Sequence, residues 1–180
     1  MVYVLLGTGF EEIEAVTPID LLRRAGVAVT TVGLNGKTIK GSHKVGFEAD
    51  VEISDLDVSD ADMIVLPGGL GGVASISACP AALHAVEQVW KQDGFVAAIC
   101  AAPTVLAALH ITDGHPTTCY PGCEGKMGAA LPQSGKAVVR DGKLITGTSA
   151  GCAVPFALAL VAALKGEEKA REIAEQIVIR

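Results

Sequence analysis

The chain has 180 residues and a formal net charge of -6, and half of its residues are hydrophobic while only 4% are aromatic. That length fits one domain, residues 1–180, with a sizeable core of Ala, Val, Leu and Ile. The acidic balance and the scattered lysines and arginines exclude nucleic acid or an anionic membrane surface as the main partner.

VYVLL (2–6) reads as a first buried strand ending in the turn GTG. It lacks a basic leader, so a strand is a better reading than a targeting segment. FEEIEAVTPIDLLRRAG (10–26) predicts a helix, acidic at its start and basic at its end as the macrodipole favours, with Gly26 as its stop. VAVTTVG (27–33) is a β-branched strand, and residues 37–53 suggest a hairpin-like excursion of weaker strands. DMIVLPGG (62–69) is the next buried strand and runs into a glycine-rich loop. Residues 74–94 hold one or two helices, with Pro80 starting the second. FVAAIC (95–100) is a strand, APTVLAALHI (102–111) a helix, TTCY (117–120) a further strand, and KAVVRDGKLITG (136–147) a pair turning at Asp141-Gly142. Two helices close the chain, with Glu175 and Arg180 expected to be solvated or capping. The greasiest stretch, residues 152–164, is too short to span a bilayer and predicts a buried helix. Strands alternating with helices imply an α/β fold whose mostly parallel sheet is covered on both faces. A soluble cytoplasmic protein is expected.

The five cysteines are an odd number and include no CxxC, so free thiols in a reducing compartment are expected rather than a disulfide framework. His115, Cys119 and Cys123 are spaced four apart, but Pro116 and Pro121-Gly122 break any helix that would align them, and no fourth ligand is near. No metal is expected.

In parallel sheets, sites lie beyond the carboxyl ends of the strands. That rule selects GTGFEEIE, LPGGLGG and CAAP, which surrounds Cys100. The spacing in GGLGGVA suits a dinucleotide poorly, because it follows a middle strand and no acidic residue is placed to hold a ribose. No cofactor is expected; the loop is better suited to bringing backbone N–H groups close to a substrate. Among the helix-one glutamates, Glu14 is followed by Pro18, Leu21 and Ala25, which puts it on an apolar stripe. A buried carboxyl holds its proton at neutral pH and can donate to a thiolate. The residues alone do not choose firmly between Glu12 and Glu14. Of His43, His84, His110 and His115, none adjoins Cys100, so a protease-like triad is disfavoured. The helix N-terminus after Cys100 is expected to lower the thiol pKa instead.

GFEEIEAVTPIDLLRRAG, the LPGG of 66–69 and AAICAAP together resemble the ThiJ/PfpI superfamily, in the branch of the parkinsonism-associated protein deglycase and its bacterial relatives. The likeness runs along nearly the whole chain. It implies a flavodoxin-like three-layer sandwich of the class I glutamine amidotransferase-like kind, and a homodimer. It implies that Cys100 is the reactive cysteine of a strained elbow, with Glu14 the carboxyl held against it. Oxyanion- or substrate-binding amides would fall at Gly69, Ala101 and Gly68. Many relatives place a histidine just before a proline where Tyr120 stands here, making Tyr120 a candidate site-lining residue. In the protease-like branch a histidine takes the place of Ala101. These departures favour chemistry run by Cys100 and Glu14.

The leading expectation is an enzyme of glyoxalase III or deglycase type, whose Cys100 attacks a small carbonyl substrate. The alternative is a redox-sensing or stress-protective, chaperone-like protein in which an oxidant modifies Cys100. A structural module with an inert thiol is the third.

Overall fold

The computed structural model describes residues 1–179; Arg180, assigned above to the end of the last helix, lies outside the described residues. The centre is a seven-stranded sheet. Its strands β1 (Val2–Leu6), β2 (Val29–Gly33), β5 (Val51–Glu52), β6 (Met63–Leu66), β7 (Phe95–Ile99) and β11 (Leu144–Gly147) run parallel, and β10 (Val138–Asp141) pairs antiparallel with β11 at one edge. The spatial order is β10-β11-β7-β6-β1-β2-β5.

The central strands are apolar at every position because both faces are covered. Side-chain alternation sorts them into two cores. Val2, Val4, Leu6, Met63, Val65, Ala97 and Ile99 face α1 (Glu12–Arg24), α5 (Ala153–Lys165) and α6 (Glu167–Gln176). Tyr3, Leu5, Ile64, Leu66, Val96 and Ala98 face α2 (Leu70–Ser77), α3 (Pro80–Lys91) and α4 (Pro103–Ala108). This is the expected α/β sandwich. The chain leaves β1 toward one face and β6 toward the other, so the loops beyond these neighbours splay apart and leave a crevice.

Three details differ from expectation. Helix α2 begins at Leu70, inside the stretch read as a loop. A Cβ on Gly72 would lie 2.7 Å from the Phe10 Cα, so only glycine lets this first turn press against the loop after β1. The excursion at 37–53 does form a hairpin of β3 (Thr38–Lys40) and β4 (Gly46–Glu48), but β5 leaves it to join the main sheet. Of TTCY, only Thr117 is in a strand: β8 (Pro116–Thr117) pairs with β9 (Leu131–Pro132). The chain is then drawn away because the Tyr120 N–H is donated to the Cys100 carbonyl at 2.7 Å. Glu175 is exposed, as expected of a solvated residue. Among the described residues no helix is long and apolar enough to cross a membrane.

Candidate active site

Cys100 follows β7 directly and has φ 67°, a left-handed backbone that a residue with a Cβ adopts at a cost of about 1–2 kcal/mol. The position is held from both sides. Its N–H is donated to the Gly147 carbonyl at 3.0 Å, and its own carbonyl accepts from Tyr120. The chain then turns through Ala101 and Ala102 into α4, where Pro103 occupies the first turn. There its missing N–H is harmless.

Glu14 comes from the first turn of α1 and is 1% exposed. Its Oε2 accepts the Gly68 N–H at 2.9 Å, and its carboxyl lies in hydrogen-bonding reach of the Cys100 thiol. Glu12 turns the other way, where its Oε1 accepts the His43 N–H at 2.7 Å and its Oε2 lies 3.0 Å from His43 Nδ1. The structure thus separates the two glutamates: Glu14 is buried against sulfur, and Glu12 is tied to the β3–β4 hairpin. Partial burial opposes ionisation of Glu12, but the bonds from His43 and Ser42 prevail and lower it to about 2.

Gly68 is the hinge of this arrangement. A Cβ there would lie 2.5 Å from Glu14 Oε2 and 2.7 Å from the Cys100 Cβ, so any side chain would wedge the pair apart. Gly68 was expected among the substrate-binding amides; instead its N–H is engaged by Glu14, and its carbonyl accepts from Glu11 N–H at 3.0 Å. The Gly69 and Ala101 amides favour the ionised form of the Cys100 thiol. Gly69 has φ 84°, and a Cβ there would collide with the Gly9 carbonyl.

Burial pushes the Glu14 carboxyl from 4.5 up to about 7, against the hydrogen bonds from Cys100 and Gly68 that favour its ionised form. Burial and then the Glu14 carboxylate push the Cys100 thiol up to about 12, while the Ala101 and Gly69 amides act in the other direction. This corrects the expectation that the following helix lowers the thiol. Helix α4 starts at a proline, and the two amides do not outweigh desolvation beside an acid. The share contributed by the carboxylate exists only while Glu14 is ionised. When Glu14 takes up the proton that repulsion disappears and the amides remain. The pair therefore titrates as one unit, and at neutral pH it retains a proton between oxygen and sulfur.

Cys100 and Glu14 open into a cavity of about 670 Å³. Gly69, Ala101 and the half-exposed Tyr120 line it, as do Ser42, His43 and Cys123, and the Ser149–Gly151 loop beyond β11. Four strand ends thus meet here instead of three. His115 parts from the two cysteines: its Nδ1 lies 2.8 Å from Asp141, while Cys119 is buried beside Met127 and Cys123 packs against that cluster and also lines the cavity.

A family model described as "DJ-1/PfpI family" matches residues 1–163. The chain belongs to the DJ-1/PfpI family. It is 37% identical over 178 residues to Protein dj-1beta of Drosophila melanogaster, covering 98% of this chain and 95% of the relative. The crystal structure of Drosophila melanogaster DJ-1beta superposes with a TM-score of 0.93 at 36% identity, covering 99% of this chain and 97% of that one. A Caenorhabditis elegans relative named glutathione-independent glyoxalase DJR-1.2 is 31% identical over 171 residues, which are 94% of this chain and 90% of that one. The DJ-1/PfpI fold accounts for the elbow, the crevice and the two-faced core together.

Proposed function

We propose that this DJ-1/PfpI protein is a cofactor-independent glyoxalase that converts small 2-oxoaldehydes to 2-hydroxy acids through Cys100. The observation that carries the reading is the left-handed thiol facing a buried carboxyl across Gly68. The glyoxalase relative supports it. Sulfur attacks the aldehyde carbon, the carbonyl electron pair moves to oxygen, and the Gly69 and Ala101 N–H groups stabilise the oxyanion. The proton shared with Glu14 passes to that oxygen and gives a hemithioacetal. The Glu14 carboxylate then removes the proton from the former aldehyde carbon and returns one to the neighbouring carbon, leaving a thioester of the hydroxy acid. Water cleaves the thioester, so the net reaction is oxoaldehyde plus water to hydroxy acid. No step needs an imidazole.

The reading draws on Cys100 and Glu14 opening into one cavity, where a proton held between them is the one a bound carbonyl oxygen would take up. The same proposal includes a homodimer, which the exposed Ile13 and Val16 on α1 support, and a cytoplasmic setting. The test is stereospecific formation of lactate from methylglyoxal by purified protein without glutathione; absence of lactate would refute it.

Gly68→Ala offers a steric test that alters no chemical group. The added methyl is expected to lower turnover by at least about a hundredfold by separating Glu14 from sulfur. It should reduce stability by about 1–3 kcal/mol through overpacking. Lactate assays and urea unfolding read the two effects, and unchanged turnover would show that the carboxyl–sulfur contact is dispensable.

A further inference from the structure

A second thiol shares the reactive cavity. Cys123 lines it with Cys100, and two hydrogen bonds link their backbones: Tyr120 N–H to the Cys100 carbonyl at 2.7 Å, and Cys123 N–H to the Tyr120 carbonyl at 2.9 Å. The other nearby thiol is placed differently. Cys119 is 7% exposed, packs against Ala107, Met127 and Ala130, and borders a separate cavity of about 210 Å³.

The stretch carrying Cys123 has room to adjust. From Gly122 to Lys126 the described hydrogen bonds of the backbone N–H groups are all local, within three residues. A Cβ on Gly122 or Gly125 would meet nothing within 4 Å. Bridging two cysteines requires their Cα atoms to approach within about 7 Å. A segment whose backbone N–H groups bond only within its own turns can close on a fixed elbow by giving up the packing of Cys123 against the cluster of Ala107, Cys119, Met127 and Ala130.

We propose that Cys123 is the resolving thiol of Cys100, so that hydroperoxides switch this site off reversibly through a Cys100–Cys123 disulfide. In the first step the sulfur of Cys100 attacks the peroxide. The O–O bond breaks, sulfur loses two electrons to form the sulfenic acid, and the alcohol or water departs. In the second, Cys123 sulfur attacks the sulfenic sulfur, the S–O bond breaks and water leaves, formed from the sulfenic hydroxyl and the Cys123 thiol proton; the Cys100 thiol proton has left with the alcohol or water of the first step. The inference rests on Cys100 being the reactive thiol of the proposed reaction, but not on the dicarbonyl substrate. A resolving thiol would divert the sulfenic acid from irreversible oxidation to the sulfinic acid.

The experiment treats the intact protein with a modest excess of hydrogen peroxide, blocks remaining thiols, and cleaves before Asp93, Asp113 and Asp141. This places Cys100 on one peptide and Cys119 with Cys123 on another. The expected product is the two peptides joined and two hydrogens lighter, in wild type and in Cys119→Ser, and separated by dithiothreitol. Cys123→Ser and Cys123→Ala should instead accumulate Cys100 sulfinic acid that dithiothreitol does not reverse. Sulfinic acid as the main wild-type product, or a cross-link that survives loss of Cys123, would overturn the proposal. The mass readout needs no turnover: a cross-link in a protein that makes no lactate would sink the glyoxalase reading and leave this one standing.

Discussion

Replacing Cys100 with serine is expected to lower lactate formation from methylglyoxal by at least about a thousandfold, with little change in stability. Serine fits the same space, and its Cβ meets the same left-handed backbone, φ 67°, so the elbow is no more strained than before. The chemistry is different. A hydroxyl ionises far less readily than a thiol, and the two amides of Gly69 and Ala101 would have to support an alkoxide beside an acid. An equal unfolding midpoint with turnover lost would place the effect in chemistry. Residual activity within tenfold of wild type would mean that the carbonyl is attacked by something other than this sulfur.

Glu14→Gln should act on both rate and stability, in opposite directions. Glutamine keeps an oxygen for the Gly68 N–H but cannot take the proton from carbon, so a loss of at least about a hundredfold is expected. Stability follows from the raised carboxyl. Its pKa rises from 4.5 to about 7 on folding, so the folded state holds the proton more tightly than the unfolded chain. That contribution is complete below 4.5 and is lost as pH rises through 7, amounting to about 3 kcal/mol at the usual 1.36 kcal/mol per unit. Wild type should therefore lose stability between pH 4.5 and 8 from this group, while the variant does not. Urea unfolding at pH 5 and 8 measures the difference. Parallel pH dependences in the two proteins would show that Glu14 is not the group that titrates. The stability given up at neutral pH is the cost of burying a carboxyl so that it keeps a proton where the substrate needs it.

The sheet was legible because strands buried on both faces read as unbroken apolar runs between turn signals, as in VYVLL and FVAAI. Glu14 was half legible: a carboxyl on the same helix stripe as Pro18, Leu21 and Ala25 faces inward, and all four are buried, but the stripe alone did not decide firmly between Glu14 and Glu12, whose direction is set by the distant His43. Helix α2 was hidden by its glycines, whose poor helix propensity is overridden by the close approach to Phe10. Ser42 and His43 were not legible as cavity residues. They sit on a polar hairpin, and nothing in its local pattern says against which strand ends the tip will lean. The Ser149–Gly151 loop could have been found, since it follows β11 by the same strand-end rule that selected Cys100. The direction of the thiol shift was the least legible of all. It depends on the balance between two amides and the burial of a neighbouring acid, and that balance is three-dimensional.

Both main-chain groups of Cys100 are pinned, one to Gly147 in the adjacent strand and one to Tyr120. Gly147 is itself wedged between Ile99 and Phe156, where a Cβ would lie 2.9 Å from each. The sulfur therefore hangs from a rigid mount by one rotatable bond, and staggering allows that bond only three stations. An attacking atom with so short a tether cannot pursue its target. Selection among carbonyl compounds then becomes a matter of which molecules can bring an unhindered carbon to a stationary point, a task in which a terminal aldehyde outperforms any branched ketone.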